Sequence, residues 1–220
     1  MTGEIPHSFG KVINLVSLKL GSNNFSGSLC GFSAMEFLRH LDLSGTYVRQ
    51  YNVFSLYISL TIHTFPRLYL DNKLSGTIPV DFLESVSTRK PINVDLSSNK
   101  LSGRVPTDLD RFENLAIYLR DNQFTELPSA LCDINNRGWN LRDVELFGCD
   151  AIMCPPGTAN YHGRQSSEHT RCEKCSSNAK MYGQVSCNGV RLSSAGSNGH
   201  LSVGVKLLSL FVVAGVAMIL

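Results

Sequence analysis

The stretch from Asn93 to Pro106, NVDLSSNKLSGRVP, sets apolar side chains at Val94, Leu96, Leu101 and Val105, with Asn99 and Gly103 between them. No amphipathic helix has that order, and strand-like alternation lasts only from Val94 to Leu96. The same rhythm recurs along the chain. LVSLKLGSNNFSGSL carries Leu15, Leu18, Leu20, Asn23, Phe25 and Gly27, and LRHLDLSGTYV carries Leu38, Leu41 and Leu43, with Thr46 at the asparagine position. RLYLDNKLSGTIP carries Leu68, Leu70, Leu74, Gly76 and Ile78-Pro79. AIYLRDNQFTELP carries Ile117, Leu119, Asn122, Phe124 and Leu127-Pro128. LRDVELFGCDAI carries Leu141, Val144 and Leu146, with Cys149 where asparagine stood, and Gly3-Glu4-Ile5-Pro6 reads as the back half of an earlier copy. Each copy predicts one short strand, its LxL side chains pointing inward and the residues between them outward. Such a strand buries its apolar side only against further copies, so the units must stack into a continuous core.

Equivalent positions (Leu18, Leu41, Leu68, Val94, Ile117, Val144) lie 23 to 27 residues apart, within the 20–29-residue period of leucine-rich repeats with their LxxLxLxxN core. The fuller form, LxxLxLxxNxLxGxIP, resembles the plant-type class of extracellular leucine-rich repeat proteins over residues 1–153. That resemblance implies an α/β solenoid: a right-handed superhelix of about six copies, N-terminally incomplete, with a parallel concave sheet. The asparagine is expected to satisfy backbone groups in the turn, glycine to relieve it and proline to end strand pairing. Two places depart from the pattern. Residues 46–66 lack the Gly-x-Ile-Pro half, and Leu70 to Asn72 is one residue short of LxxN. An insertion and a translated intron are both consistent with this.

After Ile152 the composition changes to CPPGTANYHGRQSSEHTRCEKCSSNAKMYGQVSC, followed by a polar linker, 188–200. The order CPPGT, CxxC and a final cysteine resembles the small ephrin-receptor-like modules of secreted proteins. Residues 154–187 are therefore expected to form a small disulfide-rich segment closing the open solenoid end. The resemblance implies Cys154–Cys172 and Cys175–Cys187, with Cys132–Cys149 sealing the last repeat and Cys30 left over. From residues alone, six cysteines allow 15 connectivities. A zinc or redox site at Cys172-Glu-Lys-Cys175, completed by His162 and His169, is disfavoured because no second CxxC and no βαβ pattern accompany it. We expect no metal and no cofactor.

Residues 201–220 are almost wholly apolar. With the small-residue stretch around Ser193 and Ser194 as attachment candidates, they fit a glycosylphosphatidylinositol-type signal; a short membrane helix is the alternative. The start, MTGEIPHSFGKV, has no apolar run of signal-peptide type. Met1 is thus expected to be an internal methionine of a longer chain that carries its signal peptide and earlier repeats upstream, placing the protein at the cell surface. Asn24-Phe25-Ser26 is the glycosylation sequon.

Net charge is +2 without a basic run, which removes the electrostatic footprint of a nucleic-acid binder. Kinase signatures, GxSxG and phosphate loops are absent from the sequence, so an enzyme is not expected. The candidate ligand-binding residues are those flanking the inward leucines: Lys19, His40, Asp42, Arg67, Tyr69, Asp71, Asp95, Tyr118, Arg120, Asp143, Glu145 and Phe147. Tyrosine, phenylalanine and arginine among them are the types that favour binding hot spots. The expected function is receptor-like recognition of a protein, peptide or glycan on the membrane, with a co-receptor for signalling. A secreted inhibitor of cell-wall-degrading glycosidases and a structural cell-wall or adhesion component are the alternatives.

Overall fold

The computed structural model describes residues 1–29, 32–45, 72–133, 138–176 and 179–187. Cys30, the 46–71 segment and everything from residue 188 onward, including Ser193, Ser194 and the apolar tail, lie outside them. Each repeat contributes two strands to two parallel sheets. The LxL strands β2 (Ser17–Lys19), β4 (His40–Asp42), β6 (Ile92–Asp95) and β8 (Leu115–Tyr118) pair in that order. The NxLxG strands pair as β1 (Thr2–Glu4), β3 (Asn24–Ser28), β5 (Lys73–Gly76), β7 (Lys100–Arg104) and β9 (Gln123–Glu126). Every pairing within both sheets is parallel. This is the leucine-rich repeat solenoid, with four turns among the described residues.

The sequence rules are visible in each turn. Leu18, Leu41, Val94 and Ile117 are buried from the first sheet, and Phe25, Leu74, Leu101 and Phe124 from the second. At about 1.5–3 kcal/mol for each large apolar side chain removed from water, this shared interior is the main favourable term. Gly27, Gly76 and Gly103 have φ of +85°, +81° and +79°, a left-handed backbone that glycine adopts without steric cost. The last copy is one residue shorter here, and the β7–β9 register shifts between Gly103 and Arg104. Pro6, Pro106 and Pro128 each precede a 3-10 turn, His7–Lys11, Thr107–Arg111 and Ser129–Cys132. Their fixed φ sets the chain onto its return path.

The repeat asparagines bind the turns together. Asn99 donates from Nδ2 to the carbonyls of Leu43, Leu96 and Ser97 at 3.0–3.2 Å, and its Oδ1 accepts from the Leu74 backbone N–H at 3.1 Å. Asn122 does the same toward Leu96, Leu119, Arg120 and Leu101. The asparagine of the preceding turn is Asn72, not a residue near Thr46: it donates to Leu20, Leu43 and Ser44 and accepts from Phe25.

That assignment corrects the repeat count. β4 pairs directly with β6 (Leu41 opposite Val94), and β5 lies between β3 and β7. The front half LRHLDLSG and the back half NKLSGTIP therefore make one complete turn, and residues 46–71, outside the described residues, are inserted in its sequence between Gly45 and Asn72. The ladder has no strand position for a separate copy at Leu68 and Leu70. The interruption falls in the turn after the strand, where chain can be added without breaking a ladder bond.

The last expected copy is also different. Residues 139–151 form a 3-10 turn, Trp139–Arg142, helix α1 (Asp143–Phe147) and a second 3-10 turn, Gly148–Ala151. Leu141 and Leu146, read as inward leucines, are 80% and 71% exposed. Trp139 instead fills the core, its indole N–H donating to the Phe112 carbonyl at 2.6 Å. Disulfides join Cys132 to Cys149, Cys154 to Cys172 and Cys175 to Cys187, the pairs that the Cys-Pro-Pro-Gly resemblance implied. Together with the short antiparallel pair β10 (Thr158–Ala159) and β11 (Glu173–Lys174) they hold the end segment.

This end segment continues the ladder. The backbone N–H of Ser22, Gly45 and Ser98 donates to the next turn's carbonyl at Ser44, Ser97 and Arg120; Asp121 N–H donates to Gly183 at 3.0 Å. Ile117 N–H, on the edge strand, donates to Asn140 Oδ1 at 2.7 Å. The sheet edge that would otherwise recruit another chain is thereby closed.

Two outcomes follow. Asn99→Leu leaves buried carbonyls and the Leu74 N–H without partners, and we expect a loss of about 3 kcal/mol in denaturant unfolding, where Asn23→Leu, in a more exposed turn, costs less. Deleting 46–71 should preserve the circular dichroism of the solenoid and leave the unfolding midpoint equal or higher. A deletion variant that fails to unfold cooperatively would refute the single-turn assignment.

Candidate ligand-binding face

Strand register sorts the outward side chains of the first sheet into columns. Ser17, His40, Asn93 and Ala116 form one, and Lys19, Asp42, Asp95 and Tyr118 the next. Gly21, Ser44, Ser97 and Arg120 follow two residues on in their turns. Within the second and third turns the columns satisfy each other. Asp42 Oδ1 accepts from the Ser44 N–H at 3.0 Å and hydroxyl at 2.7 Å, and Asp95 Oδ1 from the Ser97 N–H at 2.9 Å and hydroxyl at 2.6 Å. The last turn replaces this Asp-Leu-Ser unit with Tyr118-Leu119-Arg120.

The end segment leans onto that altered turn. Gly163, at φ +63°, approaches so closely that a Cβ there would lie 2.5 Å from the Arg120 Cβ. The guanidinium of Arg164 stands 5.3 Å from the Tyr118 ring centroid. Its Nη1 donates to Asp143 Oδ2 at 2.8 Å and to the Ala151 carbonyl at 3.2 Å. A cavity of about 260 Å³ remains, lined by Asp95, Tyr118, Arg120, His162, Arg164 and Ser166. Burial pushes the Asp95 carboxyl above its ordinary pKa and the Asp42 charge adds to this, while the Ser97 bonds and Arg120 oppose it. Burial also raises Asp150.

Lys19, His40, Asp42, Asp95, Tyr118 and Arg120 thus share one face. Arg67, Tyr69 and Asp71 lie outside the described residues. Glu145 and Phe147 do not join the columns: both sit on α1, Glu145 paired with Arg142 at 3.0 Å and Phe147 packed against the core. Asn140, Leu141 and Arg142 hold positive φ, which a strand does not allow, and the short helix starts after them at Asp143. Asn24 is half-buried in β3, in the other sheet. Arg164 and Ser166 escaped the sequence reading, since no periodicity links them to the repeats, and His162 was read only as a candidate metal ligand, not as part of this face. A larger depression, about 470 Å³ among Val80, Asp81, Glu84, Asp108, Asp110 and Arg111, lies off this face. Its arginine is already bound to the carbonyls of Asp108, Phe82 and Leu83 and stacked on Phe112. Among the described residues no group of three or more metal-ligating side chains converges.

No family model matches the chain. Over 131 residues it is 31% identical to Receptor-like protein 41 of Arabidopsis thaliana, an overlap that takes in 56% of this chain and 14% of that protein; the chain thus spans a small part of the curated relative's length. Among solved structures, the Arabidopsis receptor kinase HAESA, in complex with the peptide hormone IDA and the co-receptor SERK1, overlaps 64% of this chain and 18% of its own, at 27% identity and a TM-score of 0.44. The leucine-rich repeat ectodomain of the receptor kinase SOBIR1 from Arabidopsis thaliana overlaps 56% and 51%, at 27% identity and a TM-score of 0.36. A plant ice-binding protein overlaps 60% and 33%, at 22% identity and 0.44. At such TM-scores the fold assignment rests on the chain's own strand order and asparagine bonds: a leucine-rich repeat solenoid, of four turns among the described residues, with a disulfide-bonded end.

Proposed function

We propose that the protein is a non-catalytic, extracellular recognition module whose first sheet binds its ligand with the face formed by Lys19, Asp42, Asp95, Tyr118 and Arg120. The observation that carries this reading is the register: side chains from four successive turns are held in columns by a rigid ladder, with tyrosine and arginine where the columns end. Backbone-held side chains lose little entropy on binding, which is how a preformed surface gains affinity. Three disulfides fit an oxidising compartment, and the similarity to a receptor-like protein points the same way. Attachment to a membrane through residues 201–220, directly or by a lipid anchor near Ser193 and Ser194, and a co-receptor partner belong to the same proposal, as does a glycan on Asn24.

The test is to probe peptide and glycan arrays with the full chain and with the double variant Asp42→Ala/Tyr118→Ala. We expect saturable binding that the variant weakens at least tenfold while it still unfolds cooperatively. Binding indifferent to these substitutions would remove the face from the function.

Asp95 adds a pH dependence. Its folded-state pKa is raised, so the folded protein keeps a proton over a range in which the unfolded chain has released it, and stability falls as pH rises through that range. Asp95→Asn should therefore raise the thermal midpoint at pH 7. The gap should close as the pH drops below the ordinary aspartate value of about 3.9. A lower midpoint for the variant at pH 7 would contradict the buried-charge account.

A further inference from the structure

We propose that the cavity between the last strand of the first sheet and the disulfide-bonded end binds the terminal ring of a neutral oligosaccharide. The inference rests on the recognition reading and assigns its ligand a chemical class. Charge comes first. The cavity holds Arg120, Arg164, His162 and Asp95, but Arg164 is already paired with Asp143 at 2.8 Å, both side chains being largely buried. Asp95 and Arg120 attract each other across the cavity. An incoming anion would meet Asp95 and an incoming cation the two arginines, so neither sign of ligand finds an uncompensated partner.

Hydrogen-bonding capacity is the second point. Among the described residues, Asp95 Oδ2, the Tyr118 hydroxyl, and Nε and Nη2 of Arg164 have no hydrogen-bond partner, while Oδ1 of the same aspartate and Nη1 of the same arginine are occupied. The open positions thus offer an acceptor, a donor-acceptor and donors within one small space. Vicinal hydroxyls, each both donor and acceptor, match that set; an aliphatic or aromatic ligand would leave it unsatisfied. Size is the third point. About 260 Å³ lies just below the range of about 300–1,000 Å³ common for drug-sized ligands, which suits one or two sugar rings. The sheet ends at β8 and the end segment stands beside it, so a ligand running along the columns finishes here.

Calorimetric titration of the full chain with xylotriose, cellotriose and 1,4-linked galactotriose should show saturable binding of at least one. Tyr118→Ala and Asp95→Asn should each weaken it about tenfold, the second because a charge-assisted bond becomes a neutral one. The unfolding midpoint of each variant serves as the control for folding. Trigalacturonate and an acidic tripeptide complete the panel. Binding of trigalacturonate alone would overturn the neutral-ligand inference in favour of an anion site. A peptide whose binding is lost in the same two variants would also overturn it, yet leave the recognition face standing. Neutral-sugar binding unchanged by both substitutions would place the sugar elsewhere and overturn the site. If none of the panel binds, the inference fails, and the array experiment separately decides the recognition reading.

Discussion

A carboxamide side chain, repeated once per turn, is the contact on which this solenoid depends. A leucine-rich turn must reverse direction after each LxL strand, and that reversal leaves backbone carbonyls and N–H groups inside the molecule, where an unpaired group costs about 1–3 kcal/mol. Asn72, Asn99 and Asn122 meet three carbonyls and one N–H each, and the partners belong to two turns, the asparagine's own and the one before it. Only a short side chain with two donors on one atom and an acceptor on the other can do this. Aspartate lacks the donors and glutamine is a methylene too long. The leucines supply most of the driving force, but they would tolerate sliding; the asparagine bonds fix which turn lies on which.

The end segment follows from the same requirement. After Asn122 no further repeat among the described residues receives the edge N–H groups; Asn140 Oδ1 accepts from Ile117 and the Gly183 carbonyl from Asp121, while the Trp139 indole in turn donates to the Phe112 carbonyl. Asn140 adopts φ 48° to do so, a strain kept in place by the buried tryptophan beside it and by its own bond to the Ala151 carbonyl. Disulfides closing loops of 17, 18 and 12 residues are worth about 3 kcal/mol each in the chain-entropy account. They stabilise a segment that has almost no apolar core of its own.

Most of the solenoid was legible because its signal is repeated. LxL, Asn and Gly-x-Ile-Pro mark inward positions, turn and return in each copy, and alignment placed Lys19, Asp42, Asp95 and Tyr118 on one outward face; that Asp42 stands next to Asp95, without Tyr69 between them, came from the strand register. What misled the reading was local resemblance without the ladder. Leu68 and Leu70 look like an LxL strand, yet Asn72 bonds to Leu43 and makes the halves on either side of 46–71 a single turn. Leu141, Val144 and Leu146 have LxxL spacing, but at the end of the stack no further turn exists to bury two of them, and the helix exposes them. Disulfide pairing came through resemblance; spacing alone left it open. The placement of His162, Arg164 and Ser166 beside Tyr118 could not be read, because it depends on how the end segment docks.

Where chemistry can reside follows from these constraints. A regular turn spends its polar groups on itself: Asp42 on Ser44, Asp95 on Ser97, asparagine on carbonyls. Its repeated surface is stable, and its outward side chains stand in fixed columns. The proposed ligand cavity lies where the repeat stops being regular, at Tyr118-Leu119-Arg120, because that turn has lost the Asp-Ser pair and packs against the end segment. Arg164 stacks on Tyr118 and takes its counter-ion from α1 through Asp143, so three elements of unlike origin fix one small cavity. The asparagine ladder therefore sets the limits of the site as well as the fold: it holds the columns rigid up to the last turn, and the groups left open for a ligand gather where it hands over to the end segment.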